Sequence, residues 1–221
     1  MIFSKYFFID KMLIQKSYQY ELIPNGEQVR KLKQFCGCCR FVFNRGLEEV
    51  KKYYESTGHF LNYAQLTAFL PKWKQDADWL KDCNAQALQQ SMKNLSRALM
   101  NFSAGRANFP RFKAKGRKDS CRFPQGIKLD GGNNRIYLPK IGWLRYRNSR
   151  AIIGTIKNVT VIAKCGKWYV SIQTEYEQEK PVHTCGDIGI DMGIVRFATL
   201  SDGRYFELIN AFHSLKGRLA K

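Results

Sequence analysis

Polar and apolar residues alternate from Lys16 to Ile23 (KSYQYELI), and this period of two, carried on β-favouring side chains, predicts a strand closed by Pro24. The period then lengthens. Asn25 with Gln28 three residues on has the form of a capping box, and Val29, Leu32, Cys36, Cys39, Phe43, Leu47, Val50 and Tyr54 recur at spacings of three and four to about Ser56. Gly37 is the natural place for a turn between two helices in that stretch. Two amphipathic helices joined by a glycine are first of all a packing unit; as a helix-turn-helix they would also place one helix in a groove of DNA. Asn62 with Gln65 repeats the capping signature and opens a helix to about Trp73, and Asp78–Lys81 reads as a short helical turn. From about Ala85 a longer helix carries Leu88, Met92, Leu95, Leu99 and Phe102 on one face and stops at Ser103-Ala104-Gly105.

Beyond Phe123 the period returns to two. Ile127–Leu129, Arg135–Leu138, Trp143–Arg147, Ile156–Lys164 and Lys167–Glu175 read as strands, with a Gly131–Asn134 turn and a Cys165-Gly166 hairpin between them. Short strands at this spacing predict a small barrel completed by the strand at Lys16–Ile23. Glu177–Pro181 reads as a linker. After it, Asp187–Met192, Val195–Leu200 and Arg204–Ile209 form three further strands, and Ala211–Lys221 begins a basic helix. The fold class is α+β, with a helical bundle inserted into a barrel. The divisions are a poorly patterned extension (1–15), a first barrel strand (16–25), a helical domain (26–105), a basic barrel (106–180) and a last unit (181–221). Patterned sequence begins only at Lys16, so Met12 is an alternative start.

Charge narrows the function. Lys and Arg number 37 against 18 Asp and Glu, a formal net charge of +19. Such a chain repels itself unless a polyanion is present, and nucleic acid is the first candidate. No run approaches the roughly 20 apolar residues of a membrane span, and Met1–Lys16 lacks the small-residue cleavage site of an export signal. The expected setting is the cytoplasm, with no membrane or small-molecule partner. An odd count of 7 cysteines fits reduced thiols. Cys36 and Cys39 make a C-x-x-C, but both lie in the helical stripe and no second ligand pair accompanies them. Core packing is the preferred reading over zinc.

The densest charge follows the last helix. Arg106, Arg111, Lys113, Lys115, Arg117, Lys118 and Arg122 face a single acid, Asp119, with Phe109, Phe112 and Phe123 between them. Cations of this kind neutralise phosphates and release counterions, and interleaved rings offer faces to unpaired bases. A solvated basic loop whose phenylalanines enter the core is the alternative.

Gly189-Ile190-Asp191-Met192-Gly193 places a carboxylate in an apolar strand, followed by a glycine that permits close backbone approach. A carboxylate buried there requires a partner or a metal ion. Asp187, at the strand entrance, is the second candidate. A D-x-G before a hairpin also occurs in actin-like ATPases, where it approaches phosphates. Such an enzyme needs further glycine-rich loops and leaves the basic barrel unexplained.

Five segments together resemble the TnpB/OrfB family of insertion-sequence proteins, relatives of the type V CRISPR effectors. They are Tyr20–Asn25 with Gln28; Cys39–Asn44; Gln86–Gln90 with Leu95; Phe109–Lys113; and Gly189–Ile194 running on to Gly203. The resemblance implies an RNA-guided DNA endonuclease: a barrel and helical lobe holding a structured guide RNA and a short flanking DNA motif, then a RuvC-like (RNase H-like) domain that cuts. It implies DNA and guide RNA as partners, with a companion transposase from the same mobile element. Asp191 would be the first catalytic, Mg²⁺-binding carboxylate, and Arg106, Arg111, Phe112, Lys113, Lys115, Arg117, Lys118 and Arg122 the nucleic-acid contacts. The family's other catalytic carboxylates and its C-x-x-C zinc ribbon have no counterpart in these 221 residues. The expectation is therefore a C-terminally truncated, cleavage-incompetent form with an incomplete Mg²⁺ site. A nuclease-dead RNA-guided regulator and a generic basic RNA-binding module are the alternatives.

Overall fold

Helix starts follow the sequence closely. In the computed structural model, which describes residues 11–180, 187–209 and 215–217, Asn25 accepts the Gln28 N–H at 2.8 Å and Gln28 Oε1 accepts the Asn25 N–H at 3.0 Å. Asn62 and Gln65 repeat this reciprocal pair, both bonds at 2.9 Å. The first box opens α1 (Gly26–Thr57), which runs unbroken for 32 residues to Gly58, whose left-handed φ of 70° ends it. The turn expected at Gly37 is therefore absent. Gly37 sits inside the helix, because the apolar stripe on either side keeps one phase and its burial outweighs the roughly 1 kcal/mol helical cost of a glycine.

The second box opens α2 (Tyr63–Ala68), which Phe69 separates from α3 (Leu70–Asp76), with Pro71 in the first turn of α3. The single helix expected to Trp73 is thus two short ones. A 3₁₀ turn at Asp78–Leu80 and α4 (Ala85–Ser103) complete the helical layer. α1 packs along α4, and Leu32, Val42, Leu47 and Val50 of the first and Leu88, Met92, Leu95 and Leu99 of the second are all buried. Gly46 allows the close approach: a β-carbon there would lie 2.9 Å from Met92 Cε and 3.0 Å from Leu95 Cδ2.

Seven strands form one sheet in the order β2-β6-β7-β1-β5-β4-β3. They are β1 (Lys11–Ile23), β2 (Ser120–Phe123), β3 (Lys128–Asp130), β4 (Arg135–Leu138), β5 (Gly142–Tyr146), β6 (Thr155–Lys164) and β7 (Lys167–Glu179). The first strand does join the later ones, as expected, but it starts at Lys11, inside the stretch read as unpatterned. There Gln15 and Lys11 bond Glu175 and Glu177 of β7 at 3.0 and 3.3 Å. β7 in turn runs through the expected linker to Glu179. Cys165 and Gly166, with φ of 50° and 74°, make the hairpin between β6 and β7. β2 escaped the sequence reading because its Arg122 belongs to the basic run. It is the element that joins the layers: Cys121 and Phe123 are buried, and the Phe123 ring lies 6.2 Å from that of Phe35 in α1.

Cys36, Cys38, Cys39, Cys83 and Cys121 are all buried, and Cys39 donates to the Ala87 carbonyl at 3.6 Å. Contact with Cys83 and then burial push the Cys38 thiol up; contact with Cys36 and then burial do the same to Cys121. The five sulfurs pack as small apolar groups, and at Cys38 and Cys121 the thiolate a metal would bind is disfavoured. Cys165 is exposed, and Cys185 lies outside the described residues.

Residues 11–178 make one compact unit, and those from 179 onward belong to a second. The second contains a three-stranded antiparallel sheet, β10-β9-β8, of β8 (Ile190–Asp191), β9 (Arg196–Leu200) and β10 (Tyr205–Glu207). Its strands are shorter than expected, and Ala198 is the one buried apolar residue among their described positions. Most of the helix expected from Ala211 lies outside the described residues. Among the described residues, no helix is long and apolar enough to cross a membrane.

Candidate nucleic-acid interface

After α4 stops at Ser103 and Gly105 turns the chain with a φ of 68°, residues 106–119 run across the helical layer without regular structure. Three contacts pin the segment. Phe109 packs against the Phe102 and Phe60 rings at 5.2 and 6.1 Å. The Asn44 side chain on α1 accepts the Lys113 N–H at 2.8 Å and donates to the Lys113 carbonyl at 3.0 Å, so it satisfies the backbone as a neighbouring strand would. Asp119, the one acid of the strip, accepts from Arg40 at 2.7 Å and from the Gly116 N–H at 3.0 Å. With that acid neutralised by α1, Arg111, Lys115, Arg117 and Lys118 have no carboxylate partner among the described residues.

Arg106, Arg111, Phe112, Lys115, Arg117 and Lys118 are exposed, as a phosphate-binding strip requires. Lys113 stands apart. Its ammonium lies 4.1 Å above the Phe43 ring, and burial of that end holds its pKa below the usual lysine value although the residue as a whole is open to solvent. Arg122 is half-buried on β2 and bonds Asn158 Oδ1 at 3.0 Å and Gln173 Oε1 at 3.4 Å. Lys113 and Arg122 line a polar cavity of about 150 Å³ together with Gln90 and Asn94 of α4 and Thr160 of β6. The interleaved aromatics divide: Phe123 is fully buried, Phe109 is in an aromatic cluster, and only Phe112 is exposed, with the Lys51 ammonium 4.7 Å from its ring centre.

Two further aromatics escaped the sequence reading. Phe41 on the outer face of α1 and Trp79 in the 3₁₀ turn are both exposed, with ring centres 4.9 Å apart edge to face. Phe41 breaks the polar run on that face, which was the available signal. Trp79 carried none, since its neighbours in sequence show no period.

In the second unit, Asp191 pairs with Thr199 and is exposed. This corrects the expectation of a buried carboxylate: among the described residues no second layer covers this two-residue strand. Asp187 is exposed too. Gly189 is held by two bonds to Ser201, and a β-carbon at Gly193 would lie 3.1 Å from the Arg196 carbonyl, so the close backbone approach expected of that glycine is present. Among the described residues no three His, Cys, Asp or Glu side chains come together to hold a metal ion. A Mg²⁺ pair of the kind that cuts phosphodiesters needs several carboxylates, and the described residues do not fit it.

Residues 12–59 match the family model HTH_OrfB_IS605, described as a helix-turn-helix domain. A protein of Escherichia coli K12 named "Putative RNA-guided DNA endonuclease InsQ" is 47% identical over 209 residues, which cover 93% of this chain and 52% of that protein. The chain belongs to the TnpB/OrfB family. A "Putative RNA-guided DNA endonuclease" of Streptomyces pristinaespiralis is 28% identical over 94% of this chain and 53% of its own length. One of Mycobacterium tuberculosis CDC 1551 is 23% identical over 85% of this chain and 48% of its own. This TnpB/OrfB chain thus spans about half the length of the curated relatives it matches. In it, the segment matched by the helix-turn-helix model is nearly all of β1 followed by the single helix α1.

Proposed function

We propose that residues 11–180 grip a structured guide RNA and the DNA it pairs with, as the names of the relatives suggest, and that the 221 residues by themselves bind without cutting. One observation carries this reading: the strip Arg111–Lys118 is pinned to α1 through its backbone and its single acid, which leaves Arg111, Lys115, Arg117 and Lys118 facing solvent. Sequence would then be read by base pairing while the protein holds backbone and shape. In this reading the seven-stranded sheet is the barrel of the family, strands β8–β10 are the opening of a RuvC-like domain, and Asp191 stands at its first carboxylate. Alone it cannot fix two ions about a phosphate. A companion transposase, the flanking DNA motif and a nucleoid setting belong to the same proposal.

The test is a paired assay on the 221-residue chain with structured RNA, single-stranded DNA and duplex, with and without Mg²⁺. Binding should weaken steeply with salt, log K falling by about 0.7 to 0.9 per phosphate contacted for each decade of salt, and no substrate should be cut above background. Salt-independent binding would contradict the grip. Chelator-sensitive cutting that Asp191→Ala abolishes would contradict the second half and show that a further chain completes the site.

A further inference from the structure

The outer face of α1 holds an open groove of about 710 Å³, lined by Gln34, Gly37, Phe41 and Arg45 of that helix together with Trp79 and Phe112. Those α1 positions repeat at three and four residues, opposite the buried stripe, so the groove is a second helical face. Gly37 shapes it: a β-carbon there would have only Arg40 Nη2 within 4 Å, at 3.9 Å. A helix face exposed to water has no use for large rings. Here three are exposed, by 37% at Phe41, 43% at Trp79 and 52% at Phe112.

We infer that this groove takes unpaired RNA nucleotides, their bases against Phe41, Trp79 and Phe112 while the backbone follows the basic strip. The inference rests on the proposed nucleic-acid grip and deepens it. Three observations select the occupant. Phe112 belongs both to the groove and to the strip, so a strand whose phosphates meet Arg111 and Lys115 reaches the groove without a gap. The groove's charges are already paired, Arg40 with Asp119 and Arg45 with Glu48 at 3.6 Å, so its own attraction is for flat apolar faces more than for phosphate. Glu48 on the wall would repel a phosphate but accepts from a 2′-hydroxyl, and Arg45 beside it donates. Unpaired bases are what folded RNA presents in loops and bulges, whereas a DNA duplex keeps its bases stacked inside.

The experiment compares three short probes of one length at one salt concentration: an oligoadenylate RNA, the same RNA with abasic positions, and the oligodeoxyadenylate. Wild type should bind the base-bearing RNA about tenfold or more tighter than the abasic one, since each base stacked on an aromatic side chain contributes on the order of that factor. It should also prefer RNA to DNA. The double variant Phe41→Ala/Trp79→Ala should lose the preference for bases while its affinity for the abasic strand stays put, and Phe112→Ala, at the most exposed ring, should lose part of it. Indole fluorescence gives a second readout: Trp73 and Trp168 are buried, so quenching by the base-bearing RNA that persists in Trp143→Phe comes from Trp79. Equal binding of base-bearing and abasic RNA by wild type would leave the grip standing and overturn the groove assignment. So would an undiminished preference in the double variant, or DNA bound as tightly as RNA. Failure to bind any probe would overturn both.

Discussion

Replacing Arg111, Lys115 and Arg117 together with glutamine should weaken RNA binding about 100-fold at 0.1 M salt and reduce the salt slope by roughly 2 to 3. The size follows from counterion release. Three phosphate contacts, each contributing about 0.7 to the slope on a single strand, amount to about two decades of affinity at that salt. Lys113 is deliberately left in place. Its ammonium already faces the Phe43 ring and its backbone is clamped by Asn44, so Lys113→Gln should cost binding little and disturb the strip more. Phosphate contacts position without specifying, and the loss should therefore be uniform across RNA sequences. Titration at four or more salt concentrations, with circular dichroism to confirm the fold, measures it. A lower affinity with an unchanged slope would mean that the variant had lost shape, not charge contacts.

The second large effect concerns the helical layer that carries the strip. Leu95 is fully buried between α4 and α1, and Leu95→Ala should destabilise the first unit by about 2 to 5 kcal/mol, through lost burial and the cavity left behind. Gly46→Ala should be far milder. The added methyl meets only the ends of Met92 and Leu95, and the gain in helix propensity of about 1 kcal/mol offsets the repacking. The pair is informative because a β-carbon at Gly46 would lie 3.0 Å from Leu95 Cδ2, an atom that Leu95→Ala removes. In the double variant the new methyl enters the vacated space, so its destabilisation should fall short of the sum by at least about 0.5 kcal/mol. Urea unfolding of the four proteins measures the cycle. Strict additivity would show that the two helices do not meet at that point.

Much of this architecture was legible because it rests on local rules. Both asparagine capping boxes, the end of α4 at Ser103 and the Cys165-Gly166 hairpin are fixed by side chains within three or four residues of one another. What was misread depends on distant partners. Gly37 looked like a turn because a glycine is weak in an isolated helix, and it stays helical because the stripe on the opposite face of α1 continues past it, buried against α4 and β2. β2 was hidden because Arg122 was counted with the basic strip, while Cys121 and Phe123 on either side hold it in the core. Lys11–Gln15 showed no pattern of its own and is ordered by Glu175 and Glu177, some 160 residues away in the chain. The site divides in the same way. The exposed cations follow from composition, but that Asp119 would turn inward to Arg40, that Lys113 would cover Phe43, and that Phe41 and Trp79 would meet depends on how α1 packs.

The family assignment and the binding site are separate matters, since about half of each curated relative lies outside the matched region. The central claim is that the strip 111–118 and the adjoining face of α1 are where RNA lies. Ultraviolet cross-linking of the 221-residue chain to a single-stranded uridine-rich RNA, followed by mass spectrometry of the linked peptides, tests it most directly. The account predicts linked residues concentrated in 111–118 and at Phe41 and Trp79, diminishing as salt rises. Links confined to the β3–β4 hairpin or to the second unit, with the strip and α1 unmodified, would contradict it.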